Sequence, residues 1–279
     1  MRRSRLVLPA AALALVASGC SADGDGTAPA GHSHGDGQAI VSLPVGDGTE
    51  SERVGYALED VSLPARAGAT GDVAFRVTYQ GEPVTHYIEE LTRDLHLYVV
   101  SEDLTTFRHL HPAMADDGTW TAPVQLPASG DYRVVAEFVA RDSGGNGDHL
   151  VLGRSVEVPG GAAAYDAPAD PVIEVDATQA PVAGSNGRME LRVRDTDGEP
   201  VRLGTYLGAF GHVTGFHEET GSMVHVHPLD APSVTEDGST LTFHTEIEQP
   251  GDYRLFVQVR VDGYLHTVPV EVTVGSAPA

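Results

Sequence analysis

Three features of this sequence predict an all-β chain of two tandem sandwich domains. Short runs such as 73–79, 132–139, 190–194 and 253–261 are rich in Val, Phe, Tyr and Leu and alternate in polarity. Gly, Pro and Asp clusters bound these runs, and no long helical period intervenes. A segment of more than 100 residues then recurs as an internal duplication.

The duplication rests on three echoed motifs. Phe75-Arg76-Val77, leading to Gly81-Glu82-Pro83-Val84, returns as Leu191-Arg192-Val193, leading to Gly198-Glu199-Pro200-Val201. Arg108-His109-Leu110-His111-Pro112 returns as Val224-His225-Val226-His227-Pro228, and Gly130-Asp131-Tyr132-Arg133 as Gly251-Asp252-Tyr253-Arg254. The offsets are 117 (from Arg76-Val77 to Arg192-Val193 it is 116), 116 and 121, so the units are copies separated by small loop insertions. We place the copies at 52–159 and 171–275, with the Gly, Ala and Pro-rich stretch 160–170 as linker.

About 100 residues of this strand density suit a seven-strand sandwich. A Gly-x-Tyr entering a strand resembles the tyrosine corner of immunoglobulin-like sandwiches, which assigns Tyr132 and Tyr253 to bond the backbone of the preceding loop. The fold class expected is two tandem immunoglobulin-like β-sandwiches after a disordered tether.

The N-terminal region reads as an export signal. Arg2, Arg3 and Arg5 precede an apolar stretch, 6–16, too short to span a bilayer permanently. Ala17-Ser18-Gly19-Cys20 resembles the lipobox of bacterial lipoproteins, with Ala17 where Leu is usual, and implies lipidation at Cys20 after removal of 1–19. The other reading is an ordinary secretory signal that happens to contain a Cys. Residues 20–51, mostly Gly, Ala, Asp, Ser and Thr, read as a flexible tether carrying a short tract, His32 to Asp36, able to hold a metal loosely. Cys20 is the only cysteine, so an intramolecular disulfide and a blue-copper thiolate are both excluded. Loss of residues 1–19 would leave 14 basic against 40 acidic residues, a net charge of −26. That balance excludes nucleic acid as a partner and attracts cations.

Eleven of the thirteen His lie in the duplicated body. His96, His109 and His111 match His212, His225 and His227, with the same 13- and 15-residue spacing in each copy. His149 and His266 form a looser match. Side chains two apart on a strand share a face, so His109 and His111 point together. A hairpin turning between Asp103 and Leu104 places His96 opposite His111, and a turn between Glu219 and Thr220 does the same for His212 and His227. Three converging imidazoles suit Zn²⁺ or Cu²⁺, and Met223, sharing parity with His225, would add a thioether to the second set. Val224 and Val226 read as the inward face, which leaves the His outward. The expectation is two similar sites, one per copy. On it, changing His109 and His111 would remove half the metal without unfolding the domain. The competing reading makes the His structural residues carried into both copies by ancestry.

His86-Tyr87-Ile88-Glu89-Glu90, the run from Asp94 to Leu104 and Phe107-Arg108-His109-Leu110-His111-Pro112 resemble a motif of bacterial exported proteins labelled secreted or heavy-metal-related. The fold also resembles immunoglobulin-like modules of periplasmic copper handling. The resemblance implies metal binding without naming the metal. His86 has no counterpart in the second copy, so no role carries over to it there.

Two functions follow as expectations. One is a lipid-anchored extracytoplasmic protein at the cell membrane that binds copper or zinc for sequestration or delivery. The other is a non-catalytic envelope interaction module without metal, docking a protein partner. No Gly-x-Ser-x-Gly, His-Glu-x-x-His or phosphate loop is present, so an enzyme is not expected.

Overall fold

The computed structural model describes residues 41–161, 165, 167–226 and 228–276. Cys20, His32, His34 and His227 lie outside the described residues. The described chain is all-β. In the first copy the strands are β1 (Glu52–Arg53), β2 (Tyr56–Ser62), β3 (Thr70–Tyr79), β4 (Glu82–Pro83), β5 (Tyr87–Ile88), β6 (Leu95–Ser101), β7 (Phe107–Leu110), β8 (Ala113–Met114), β9 (Thr119–Gln125), β10 (Gly130–Arg141) and β11 (Gly147–Val158). The second copy holds β12 (Ile173–Gln179), β13 (Gly184–Asp195), β14 (Leu203–Gly204), β15 (His212–His217), β16 (Met223–Val226), β17 (Ser233–Thr235), β18 (Gly238–Ile247), β19 (Gly251–Val261) and β20 (Tyr264–Val274).

Each copy is a sandwich of two antiparallel sheets. In the first, β1-β2-β3-β9-β8 faces β11-β10-β6-β7; in the second, β12-β13-β18-β17 faces a sheet in which β19 lies between β15 and β20. The alternation read from the sequence builds both cores. Val73, Phe75 and Val77 of β3 meet Val134, Ala136 and Phe138 of β10, and Met189, Leu191 and Val193 of β13 meet Leu255, Val257 and Val259 of β19. Tyr132 donates its hydroxyl hydrogen to Ala128 O and Tyr253 donates to Gln249 O, both at 2.9 Å, as the tyrosine-corner reading requires.

The hairpin registers also follow from the sequence. Tyr98 pairs with His109 and Thr214 with His225, which centres the turns where Asp103-Leu104 and Glu219-Thr220 place them.

Two expectations need correction. The tether was placed to residue 51, but residues 41–50 lie along the free edge of β11. Ser42 N donates to Gly147 O, Val45 N to His149 O, Val151 N to Val45 O and Gly153 N to Glu50 O. The cause is the apolar spacing Val41, Leu43, Val45, which is itself strand-like and offers the edge a partner. The second correction concerns the histidine faces. They do turn away from their own cores, yet the other copy covers them. Tyr98, Val100, Phe107, Val135 and Val151 of the first copy and Phe216, Met223 and Phe256 of the second form one buried apolar cluster. Phe107 and Phe256 stack at 4.3 Å between ring centres. Each such side chain removed from water contributes about 1.5–3 kcal/mol, so an apolar seam joins the copies as well as a linker.

A shared imidazole centre

Beside this apolar seam the outward rows of β6 and β7 meet those of β15 and β16. His96 and His212 are the equivalent residues of β6 and β15; both are buried, at 3% and 0% exposure. His109 and His225 come from β7 and β16, and His111 follows β7. One nitrogen from each of His96, His109 and His111 lies within 4.8 Å of the others. His225 joins them, with ring centres 6.1 Å from His96 and 6.4 Å from His109, and His212 lies 6.5 Å from His109 and 6.2 Å from His225. The expectation of two separate sites is therefore corrected: five of the six candidate His gather in one place, because the two histidine faces are packed against each other. His227 falls outside the described residues.

The hydrogen-bond partners fix which nitrogen each ring offers. His96 Nε2 lies 3.1 Å from Glu90 O and His212 Nε2 lies 2.7 Å from Tyr206 O. A carbonyl only accepts, so both Nε2 atoms carry the hydrogen and both Nδ1 atoms carry a lone pair. Glu90 and Tyr206 hold equivalent positions in equivalent tight turns. Leu91 and Thr92 have φ of 48° and 68°, and Leu207 and Gly208 have 48° and 82°. Each turn is closed by reciprocal backbone bonds, Glu90 with Arg93 and Tyr206 with Ala209. Left-handed backbone at a β-branched Thr92 is costly, and it is held where it aims a carbonyl at a functional candidate.

The second pair of supports crosses between the copies. His109 Nδ1 lies 2.7 Å from Gln258 Oε1 and donates to it in this orientation of the amide, whose Nε2 donates to Thr267 Oγ1 at 3.1 Å. His225 Nδ1 donates to Glu137 Oε2 at 2.7 Å. Glu137 pairs with His96 across the sheet as Gln258 pairs with His212, so these two residues are equivalents. Both rings therefore turn Nε2 away from these supports. His96 Nδ1 and His109 Nε2 thus turn towards each other, 3.1 Å apart. His111 Nε2 is buried with no hydrogen-bond partner among the described residues.

These features fit a metal. Metal-bound imidazoles hold their other nitrogen on a carbonyl, carboxylate or similar acceptor, as these do. A tetrahedral ion with bonds of about 2.0–2.1 Å needs ligand nitrogens about 3.3 Å apart, with ring centres roughly 5 Å apart. The rings of His96, His109 and His111 lie 4.8–5.3 Å apart, while the pairs that include His212 or His225 lie at 6.1–6.5 Å.

Burial disfavours the charged form of four of these imidazoles. Burial pushes His96 below the ordinary imidazole range and His109 well below it. Burial, with neighbouring positive charge, brings His111 down to about 4, and burial brings His212 to about 4 as well. Burial opposes the charge of Glu137, but His225 and His149 hold its carboxyl well below the usual carboxylate range. Tyr98 donates to Glu137 Oε2 at 3.0 Å and stacks on His109 at 4.7 Å.

Other histidines are elsewhere. His86 is exposed beside Thr85, and His244 is exposed near Glu246. His217 accepts from the amides of Glu219 and Thr220 at 3.2 Å. The match of His149 with His266 is corrected by register: His149 lies opposite Val139 and reaches Glu137, whereas His266 lies opposite Val259 and pairs with Asp170. They sit on opposite faces of their sheets. Met223 packs in the apolar cluster among Phe side chains instead of supplying a ligand. Sequence reasoning missed Glu137, Gln258, Tyr98 and the two turn carbonyls; the 121-residue offset that links the Gly-Asp-Tyr motifs also links Glu137 to Gln258.

The repeat seen in motifs, registers and site supports is also recognised at family level. The family described as "Domain of unknown function (DUF8832)" matches residues 51–146 and again 168–276. The chain belongs to this family and carries its domain twice. Among curated proteins none is similar enough in sequence to count as a relative. Solved structures similar to the chain include Yersinia pseudotuberculosis InvD, 15% identical over 80% of this chain and 58% of that one, at a TM-score of 0.24. Invasin, a bacterial integrin-binding protein, is 16% identical over 80% of this chain and 39% of its own, at 0.22. A DUF4785 family protein from Legionella pneumophila is 10% identical over 77% and 54%, at 0.26. The chain thus spans about half of these solved chains. Within this chain, it is the two DUF8832 copies together, and neither alone, that assemble the imidazole centre.

Proposed function

We propose that this protein binds one transition-metal ion, copper or zinc, between its two DUF8832 copies, as a non-catalytic carrier or store. His96, His109 and His111 of the first copy and His212 and His225 of the second would supply the ligands. The observation that supports the reading most is the convergence of His96, His109 and His111, with one nitrogen from each within 4.8 Å of the others and the far nitrogens of His96 and His109 held at Glu90 O and Gln258 Oε1. A bound cation would take coordinate bonds from these converging nitrogens. We also propose that the chain works outside the cytoplasm, held to the membrane by a lipid on Cys20.

The reading is tested by elemental analysis and calorimetry of tag-free protein, with one ion bound per chain expected. The alternative is an interaction module without metal. It draws support from the apolar seam, which holds the copies together without an ion. Uptake no tighter than that of a peptide covering residues 21–40 would overturn the metal reading and leave the interaction module.

A further inference from the structure

The two copies hold their cross-interface histidines by different groups. In one direction His109 leans on the neutral amide of Gln258; in the other His225 leans on the carboxylate of Glu137. The strand register of the two supports corresponds and places each acceptor beside the equivalent of His96. The carboxylate is also prevented from swinging inward to become a ligand. Tyr98 occupies Oε2 at 3.0 Å and His149 approaches Oε1 at 3.3 Å.

We propose that Glu137 is a positioning and specificity residue that makes this centre a site for a divalent ion, favouring Cu²⁺ and Zn²⁺ over Cu⁺. This rests on the metal reading above. Three arguments carry it. A buried negative charge attracts a doubly charged ion twice as strongly as a singly charged one, and the low dielectric of the seam preserves the difference. A carboxylate accepting from the far nitrogen of an imidazole makes the near nitrogen more basic, and the higher-charged ion gains more from that. The gathered donors are all nitrogen: Met223 is committed to the apolar cluster, so the soft sulfur that suits Cu⁺ is missing among the described residues of the centre.

The test is Glu137→Gln in the full chain. The change is sterically conservative, since the equivalent position in the second copy is already Gln258. Cu²⁺ and Zn²⁺ affinities are measured against competing chelators, and Cu⁺ affinity is measured anaerobically in the same way. The expected result is a loss of roughly 10–100-fold for both divalent ions with a smaller loss for Cu⁺. The reduction potential of bound copper should rise by about 59 mV for each tenfold change in the ratio of the two copper affinities. Gln258→Glu, which adds a second carboxylate, should move the potential the other way. Equal losses for Cu²⁺ and Cu⁺, or an unchanged potential in both variants, would overturn the role of Glu137 while leaving the metal site standing. No binding of any of the three ions by the unaltered chain would overturn the metal reading and this one with it.

Discussion

The first and second DUF8832 copies bring equivalent imidazole pairs, His96 with His109 and His212 with His225, to their common seam but differ in what stands behind and beside them. Behind His225 is Glu137, and behind His109 is Gln258. Where the first copy has Tyr98 the second has Thr214, each opposite its seam histidine. The ring geometry is thus duplicated while the charge is placed on one side only. A site made from two copies of one domain can keep the ligands of both and still specialise, because the residues one layer back are free to diverge.

That comparison can be broken most decisively by removing ligands from one copy. If the centre is shared, His96→Ala with His109→Ala removes all bound metal, although the second copy keeps its own His. Calorimetry reads the stoichiometry, and retention of half the metal would mean each copy holds a separate ion. Phe107→Ala tests the seam itself. Its ring stacks on Phe256 across the copies, so the loss should cost about 3–5 kcal/mol in thermal or denaturant unfolding. Metal affinity should fall with it. A loss of stability without loss of affinity would show that the imidazoles do not depend on the seam.

Acid titration sharpens the comparison next. His111 in one copy and His212 in the other are both held near 4, against about 6.5 in an unfolded chain. The unfolded state therefore binds more protons between these values, and metal-free stability should decline as pH falls from about 6.5 towards 4. Above that window the two groups contribute no slope. Metal affinity of the folded chain should fall as pH approaches 4, where His111 and His212 take up protons. Affinity that already halves at pH 6.5 would contradict the burial of these rings. The smallest effect concerns what the copies share. Tyr132→Phe and Tyr253→Phe each delete one corner hydrogen bond and should each cost about 0.5–1.5 kcal/mol, alike in both copies, by denaturant unfolding.

Much of the fold was legible because the duplication supplied two readings of each element. The hairpin registers followed from turn position and the faces from the parity of Val224 and Val226. The meeting of the two histidine faces was not legible from parity alone, since parity says which way a side chain turns and not what covers it. A signal was nevertheless present: β6 is buried at every position, with Tyr98 and Val100 sharing the face of His96, and Phe216 and Phe256 lie on the matching face of the second copy. Apolar residues on a row that should meet water imply a lid. His149 and His266 were matched by residue type, whereas strand register assigns them to opposite faces. The carbonyls of Glu90 and Tyr206 carry no side-chain signature at all, so their support of His96 and His212 could only be seen in three dimensions.

The segment 41–50 has a mechanical consequence. It runs parallel to β11, bonding successively to residues from Gly147 to Gly153, and Asp47 O also accepts from Met223 N of the second copy at 2.7 Å. A pull transmitted from the chain preceding Val41 acts along the axis of this strap. Its bonds are then loaded together in shear, where a perpendicular pull would open them one after another. The strap also reaches both copies, so tension applied at that end presses on the union of the two domains before it reaches either core.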